Sequence, residues 1–284
     1  MANITFPTMD TDRDRITFFR TPFPKLGDAK IAKLAEAHGM RAKPEDAGSR
    51  IVIRDRRATL ELFRASDSIR WSTLENGEAE FVPNGGGPTL PDDDAAVKLA
   101  GAFLRERGVS TKGAKVDSIT QTTYARMTRR MKQPDERPLA VHVNYRYELE
   151  GLPVLGPGAK IQVTFAGGKK PAEMYAFWRS PRADTEIDLL PAGEAMELLR
   201  RDPQFEELGD DAHVDYTNPR LGYYALPPRE TQGALIPVYA FDGIASTKEL
   251  RRYEFTRYVV AVRYTPEEAK QVGAAFRGAG PIFS

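Results

Sequence analysis

VNYRYELEGLPVLGPGAKIQVTF, residues 143–165, is the stretch that decides the fold class. Val141, Val143, Tyr145 and Tyr147 alternate with His142, Asn144, Arg146 and Glu148, the period of two of a strand with unlike faces. The Val/Tyr set faces a core and the His/Asn/Arg/Glu set faces away from it. Gly151-Leu152-Pro153 and Gly156-Pro157-Gly158 are turn chemistry, with glycine where φ is positive and proline presetting the bend. Lys160–Phe165 and Ala172–Trp178 then read as the next two strands, with Gly167-Gly168 as the hairpin signal between them.

Working outward, Asp92–Gly108 patterns as a helix. Three aspartates sit at the positive end of its dipole, Val97, Ala100, Gly101 and Leu104 form its apolar stripe, and Gly108 stops it. Strands at 115–131 and 139–149 follow. Upstream, Gly27–Met40 reads as a helix with Ile31, Leu34 and Ala35 on one face, and 50–55, 58–65 and 68–74 read as short strands. The Gly/Pro-dense run at 76–93 is a linker. Downstream, Leu190–Arg201 is a third helix, followed by strands at 212–217, 222–226, 235–241 and 255–263 and a last helix at 266–277. The alternating charges Asp10, Asp12, Arg13, Asp14 and Arg15 mark a leading surface arm.

This order predicts an α+β protein of repeated units, each a helix plus an antiparallel β-meander, in which the helix covers one sheet face. The units run 1–84 (with the arm), 85–189 and 190–284.

The composition excludes several classes of function. Among 284 residues, 41 Lys+Arg balance 40 Asp+Glu, so the net charge of +1 argues against a nucleic-acid binder. With no cysteine, disulfides, thiolate metal sites, iron–sulfur clusters and a cysteine nucleophile are ruled out. No run approaches the roughly 18 apolar residues of a spanning helix, so no membrane insertion is expected. The N-terminus has neither a basic region nor an apolar core of a secretory signal. The expected location is cytoplasmic as the chain stands, or extracytoplasmic if a leader has been removed.

Four polar side chains at period two, His142, Asn144, Arg146 and Glu148, form the foremost candidate site. His142 and Glu148 would act as base and partner, while Asn144 and Arg146 bind ligand, Arg146 by reading a carboxylate. His213 and Asp215, beside Asp211, are a second candidate for acid/base chemistry. As a metal site that pair lacks a third ligand at a telling spacing, so no metal is expected. Tyr223, Tyr224, Tyr239 and Phe241 crowd the last third of the chain, as core or as the lining of an apolar pocket. Glycine-rich GPGAK (156–160) and AGGKK (166–170) lack the spacing of a phosphate loop, and no cofactor is expected.

Residues 143–165 and MYAFWR (174–179) together resemble the PepSY-like superfamily, which includes protease propeptide domains and the YycI/YycH-type regulators of sensor kinases. Glu150–Val154 and Gly156–Gly158 match its turns. PAGEAMELLRRDPQF, LGYYA (221–225), TQGALIPVYAFDG (231–243) and YEFTRYVVAV (253–262) resemble its YycI-like part. The resemblance spans residues 92–263 in pattern. It implies PepSY/cystatin-like helix-plus-sheet units and a non-catalytic inhibitory or regulatory role with a protein partner, such as a peptidase or a larger assembly. The expected function is therefore a binding or regulatory module that recognises a protein segment through a sheet face or edge, in the manner of a propeptide. The alternative is a cofactor-independent enzyme, a cyclase or isomerase of a small apolar molecule held in an aromatic-lined pocket.

Overall fold

The computed structural model describes residues 3–9, 11, 13–73, 89–126, 135–202, 212–247, 252–263 and 282–283. Strands β1 (Asn3–Thr5) and β2 (Arg15–Arg20) precede helix α1 (Asp28–Ala37). Then come β3 (Glu45–Asp46), β4 (Arg50–Arg54), β5 (Ala58–Phe63) and β6 (Ile69–Thr73). Helix α2 (Asp93–Glu106) leads into β7 (Ala114–Arg126), β8 (Asp135–Leu149), β9 (Leu152–Leu155), β10 (Lys160–Phe165), β11 (Glu173–Phe177) and β12 (Arg182–Asp188). Helix α3 (Ala192–Arg200) is followed by β13 (His213–Tyr224), β14 (Ile236–Ser246), β15 (Tyr253–Val260) and β16 (Ile282–Phe283).

Strands hold 49% of the described residues and helices 15%, so the protein is mostly β. This overturns the α+β reading of repeated helix-plus-meander, PepSY/cystatin-like units. The physical reason is the pairing. A repeat unit would close its meander on itself, but here strands far apart in the chain bond to one another. Fourteen strands share one mixed sheet in the order β16-β15-β14-β13-β9-β8-β10-β11-β6-β5-β4-β3, with β1 on β13 and β7 on β8. β6 pairs with β11, and β9 runs parallel to β13. The segments 1–84, 85–189 and 190–284 thus exchange main-chain hydrogen bonds across both seams.

β8 is the fork of the sheet. Val141–Arg146 pair with β10, and Glu148 and Leu149 pair with β9, which carries the sheet on to β13. The β8–β9 connection is a two-residue turn with both residues at positive φ, Glu150 at 51° and Gly151 at 78°, which suits the right-handed twist of the flanking strands.

Alternation in β8 places Val141, Val143, Tyr145 and Tyr147 at 8% exposure or less. They join one core with Ile161, Val163 and Phe165 of β10, Ile51 and Ile53 of β4, and buried residues of α1 and α2. Helix α2 is well specified: the Asp92 side chain caps it by accepting from the Ala95 N–H at 2.8 Å, Asp93 and Asp94 follow, and Arg105 sits in the last turn. Such a cap stabilises by about 1 kcal/mol. Ala96, Ala100, Phe103 and Leu104 form its buried stripe. A second cluster lies under α3, where Ala195 and Leu199 pack with Val214, Tyr239, Phe241 and Val259.

Two further readings change. The charged stretch Arg13–Arg15 is exposed, but β2 starts at Arg15 and buries Ile16, Phe18 and Phe19 in the main core. The strands expected at 212–217 and 222–226 are one strand, β13, which runs through a bulge at Asn218-Pro219. The helix expected at 266–277 and residues 76–88 of the linker lie outside the described residues.

Candidate functional site

β7 and β8 form a long hairpin, paired from Ala114↔Tyr147 to Arg126↔Asp135. On its polar face the four side chains expected to act together are instead divided among cross-strand partners. His142 lies between two hydroxyls, with Nε2 2.8 Å from Thr122 Oγ1 and Nδ1 2.9 Å from Thr164 Oγ1. Partial burial lowers its pKa, and the carboxylate of Glu173 pulls the other way. Asn144 Nδ2 donates to Ser118 at 3.3 Å and to Thr120 at 3.2 Å, and Asn144 Oδ1 accepts from Gln162 at 2.7 Å. Arg146 pairs with Asp117 at 3.0 Å, and Glu148 pairs with Lys115. His142 and Glu148 are six positions apart along the strand, about 20 Å at strand rise, so they are not a base and its partner. The ladder continues to Arg70, which bonds Glu173 and lies over the Tyr175 ring at 5.1 Å. Burial, with the Glu173 hydrogen bond adding to it, raises the Tyr175 pKa to about 12. The arrangement is a hydrogen-bonded ladder across a sheet face, each rung stabilising by roughly 0.2–1 kcal/mol.

The other candidates are placed as follows. Tyr223, Tyr239 and Phe241 are fully buried, and Tyr224 nearly so. Their polar ends serve the fold: Tyr223 donates to Thr17 O at 2.9 Å and Tyr239 to Leu190 O at 2.7 Å. Burial raises the Tyr223 pKa. Tyr224 meets Tyr258 edge-on with centroids 4.7 Å apart. His213 and Asp215 are neighbours on one face of β13, 3.1 Å apart, and Thr5 of β1 also bonds Asp215. Asp211 lies outside the described residues. Among the described residues no group of three His, Cys, Asp or Glu is placed to hold a metal ion.

What the sequence reasoning passed over is the outer edge of β7. This 13-residue strand pairs with β8 on one side, and no strand among the described residues pairs on the other. Lys115–Asp117 and Thr120–Thr123 are exposed, Ser118 and Ile119 half-buried. Val116 is 43% exposed, unusual for a β-branched aliphatic side chain. Register shifts at Asp117 and between Thr122 and Thr123 leave a regular run, Ser118–Thr122, between two bulges. Beyond that run, residues 123–126 and 135–138 pair with each other, and no third strand among the described residues pairs with them. The available signal was the charge-free, β-prone string SITQTTY at 118–124.

Two clefts among the described residues are of a size to hold a ligand. A cleft of about 640 Å³ lies between α1 and β3, and one of about 420 Å³ lies among Thr8, Arg13, Leu152 and Pro219. None of the four aromatic candidates lines either cleft. No helix among the described residues is long and apolar enough to cross a membrane.

Fold and edge together define a mostly-β protein with one large mixed sheet and a long hairpin whose outer strand lacks a partner strand among the described residues. No protein-family model matches the chain, and no curated protein matches it. Among solved structures, an uncharacterized protein from Eubacterium rectale ATCC 33656 is similar over 93% of this chain and 90% of its own, with a TM-score of 0.51 and 9% identity. A likeness at that identity concerns the fold alone.

Proposed function

We propose that this protein is a non-catalytic binding module that adds an extended segment of a partner protein to its sheet along β7. The observation that carries the reading is the uncharged run Ser118–Thr122, half-buried at Ser118 and Ile119 and exposed from Thr120 on, on an edge without a partner strand among the described residues. Such an edge presents a row of N–H and C=O groups ready to bond another strand. The exposed strand β12 makes the contrast: it carries Arg182, Asp184, Glu186 and Asp188, has its own bulge, and is pinned by Arg15. Charge and bulging are the usual protection of an edge, and the middle of β7 has no charge.

The edge also suggests what would bind. Val116 and Ile119 lie on the core side of β7, and Ser118, Thr120 and Thr122 on the polar side. A segment that alternates apolar and neutral polar residues complements both rows. The likeness of residues 143–165 to PepSY-like domains adds a finer proposal, that the segment belongs to a peptidase. The enzymatic alternative draws no support from the aromatic residues, whose rings are spent in the core.

The test is selection of short random peptides on the full chain, in parallel with Thr120→Lys. The reading expects alternating, uncharged peptides that bind the variant about tenfold or more weakly. Selection of no peptide on the wild type, or equal binding to both proteins, would overturn it.

A further inference from the structure

At the far end of the sheet from β7, the cleft between α1 and β3 combines an apolar floor with a charged rim. Ile31, Ala35, Met40 and Ile51, each 9% exposed or less, form the floor. The small side chains of Ala32 and Ala42 leave the space open between the walls. A volume of about 640 Å³ falls in the range of small-molecule sites.

The rim charges decide the chemistry of the occupant. Four carboxylates line the cleft: Asp28, Glu36, Glu45 and Asp46. Two are already matched, Asp46 by Arg64 at 2.8 Å and Glu45 by Arg54 at 2.5 Å. Among the described residues that line the cleft, this leaves Asp28 and Glu36, both exposed on α1, against the guanidinium of Arg41. Asp28, Ala32 and Glu36 recur at intervals of four, so they stand on one face of α1, with the small residue between the two charges. The surplus on that wall is negative, and the floor beneath it is apolar.

From this we infer that the cleft binds a small amphiphile with an aliphatic or aromatic body and a cationic head. The body covers Met40 and Ile51, and the head lies between Asp28 and Glu36. This site is independent of the β7 edge.

The test uses two fluorescent probes with the same body and opposite heads, dansylcadaverine and its carboxylate counterpart dansyl-aminohexanoate, titrated into the full chain. The expected result is about tenfold or greater preference for the ammonium probe. The double variant Asp28→Asn/Glu36→Gln should remove the preference. Ala32→Trp, at an exposed helix position, should fill the slot and abolish binding, with circular dichroism verifying the fold. Failure of both probes to bind, equal binding of both, or a preference that survives the double variant would overturn the assignment.

Discussion

Arg220 holds Asp242 with both arms of its guanidinium, Nη1 to Oδ2 and Nη2 to Oδ1, each at 2.7 Å. The pair bridges the bulge at which β13 gains a residue over β14. Asn218, at φ 50° in that bulge, donates to the same carboxylate at 2.9 Å, and Thr256 of β15 donates at 3.0 Å. One carboxylate thus ties three strands. Burial alone would raise its pKa, but the hydrogen bonds from Arg220, Asn218 and Thr256 outweigh it and hold Asp242 below the usual carboxylate range. A depressed folded-state pKa contributes stability above the unfolded value, about 4, and that contribution is lost as pH falls through the folded value. Asp242→Asn is expected to cost about 1–3 kcal/mol at neutral pH and to flatten the acid limb of stability. Urea midpoints between about pH 3 and about pH 7 check both.

His38 at the end of α1 predicts a second pH effect, at higher pH. Its ring is 3% exposed, and Nδ1 lies 2.8 Å from the carbonyl of Leu34, which can only accept. Nδ1 is therefore the protonated nitrogen, and Nε2 is buried with no hydrogen-bond partner among the described residues. Burial lowers the His38 pKa, against the Leu34 hydrogen bond, and the charge of Arg107 lowers it further. The unfolded chain takes up the proton first, so stability is full above about pH 6.5 and falls as pH drops below it. His38→Met should remove that slope between about pH 7 and about pH 5, read from thermal midpoints.

Gly158 predicts a steric effect. A Cβ there would lie 1.8 Å from the carbonyl oxygen of Leu226 and 2.6 Å from Arg179 Nη1. Arg179 is itself buried, its pKa lowered by burial to about 10, and it donates to the carbonyls of Leu226, Pro227 and Glu230 at 2.7–2.8 Å. Neither neighbour can give way without breaking that contact. Gly158→Ala should cost about 3 kcal/mol or more. Gly167→Ala, which meets nothing within 4 Å, should stay within about 0.5 kcal/mol. Denaturant midpoints compare the two.

Thr120→Lys separates binding from folding. Thr120 is exposed on an edge strand, and its hydroxyl accepts a hydrogen bond from Asn144 on the polar face. Its replacement should leave stability within about 1 kcal/mol while placing a charge on the edge. Loss of peptide binding in a variant with an unchanged thermal midpoint is the expected pairing.

Local pattern carried much of the architecture. Lys160–Phe165 is the strand the sequence announced, and α2 was legible from the three aspartates at its start and an apolar stripe, although the side it buries is Ala96, Ala100, Phe103 and Leu104 rather than Val97 and Gly101. The two faces of β8 followed from alternation alone. What alternation does not contain is the partner of each strand. Nothing in Ile69–Thr73 marks Glu173–Phe177 as its neighbour, and that pairing, with β9 beside β13, turned expected repeats into one sheet. Residues 218–221 read as a break, and Pro219 is of the kind that interrupts strands, whereas here a bulge at Asn218-Pro219 absorbs it. In the same way, four polar residues at period two were read as one site. Only the register shows that His142 is matched with Thr122 and Thr164, and Glu148 with Lys115. An edge is defined by the strand it lacks, which no local string records.

Amide hydrogen exchange across β7, resolved by residue and recorded with and without a selected peptide, tests the central claim most directly. The account predicts that amides on the outer edge within Ser118–Thr122 exchange rapidly in the free protein and become protected on binding, with no comparable change in β12. Protection of those amides in the free protein, or protection on binding that falls elsewhere and spares β7, would contradict it.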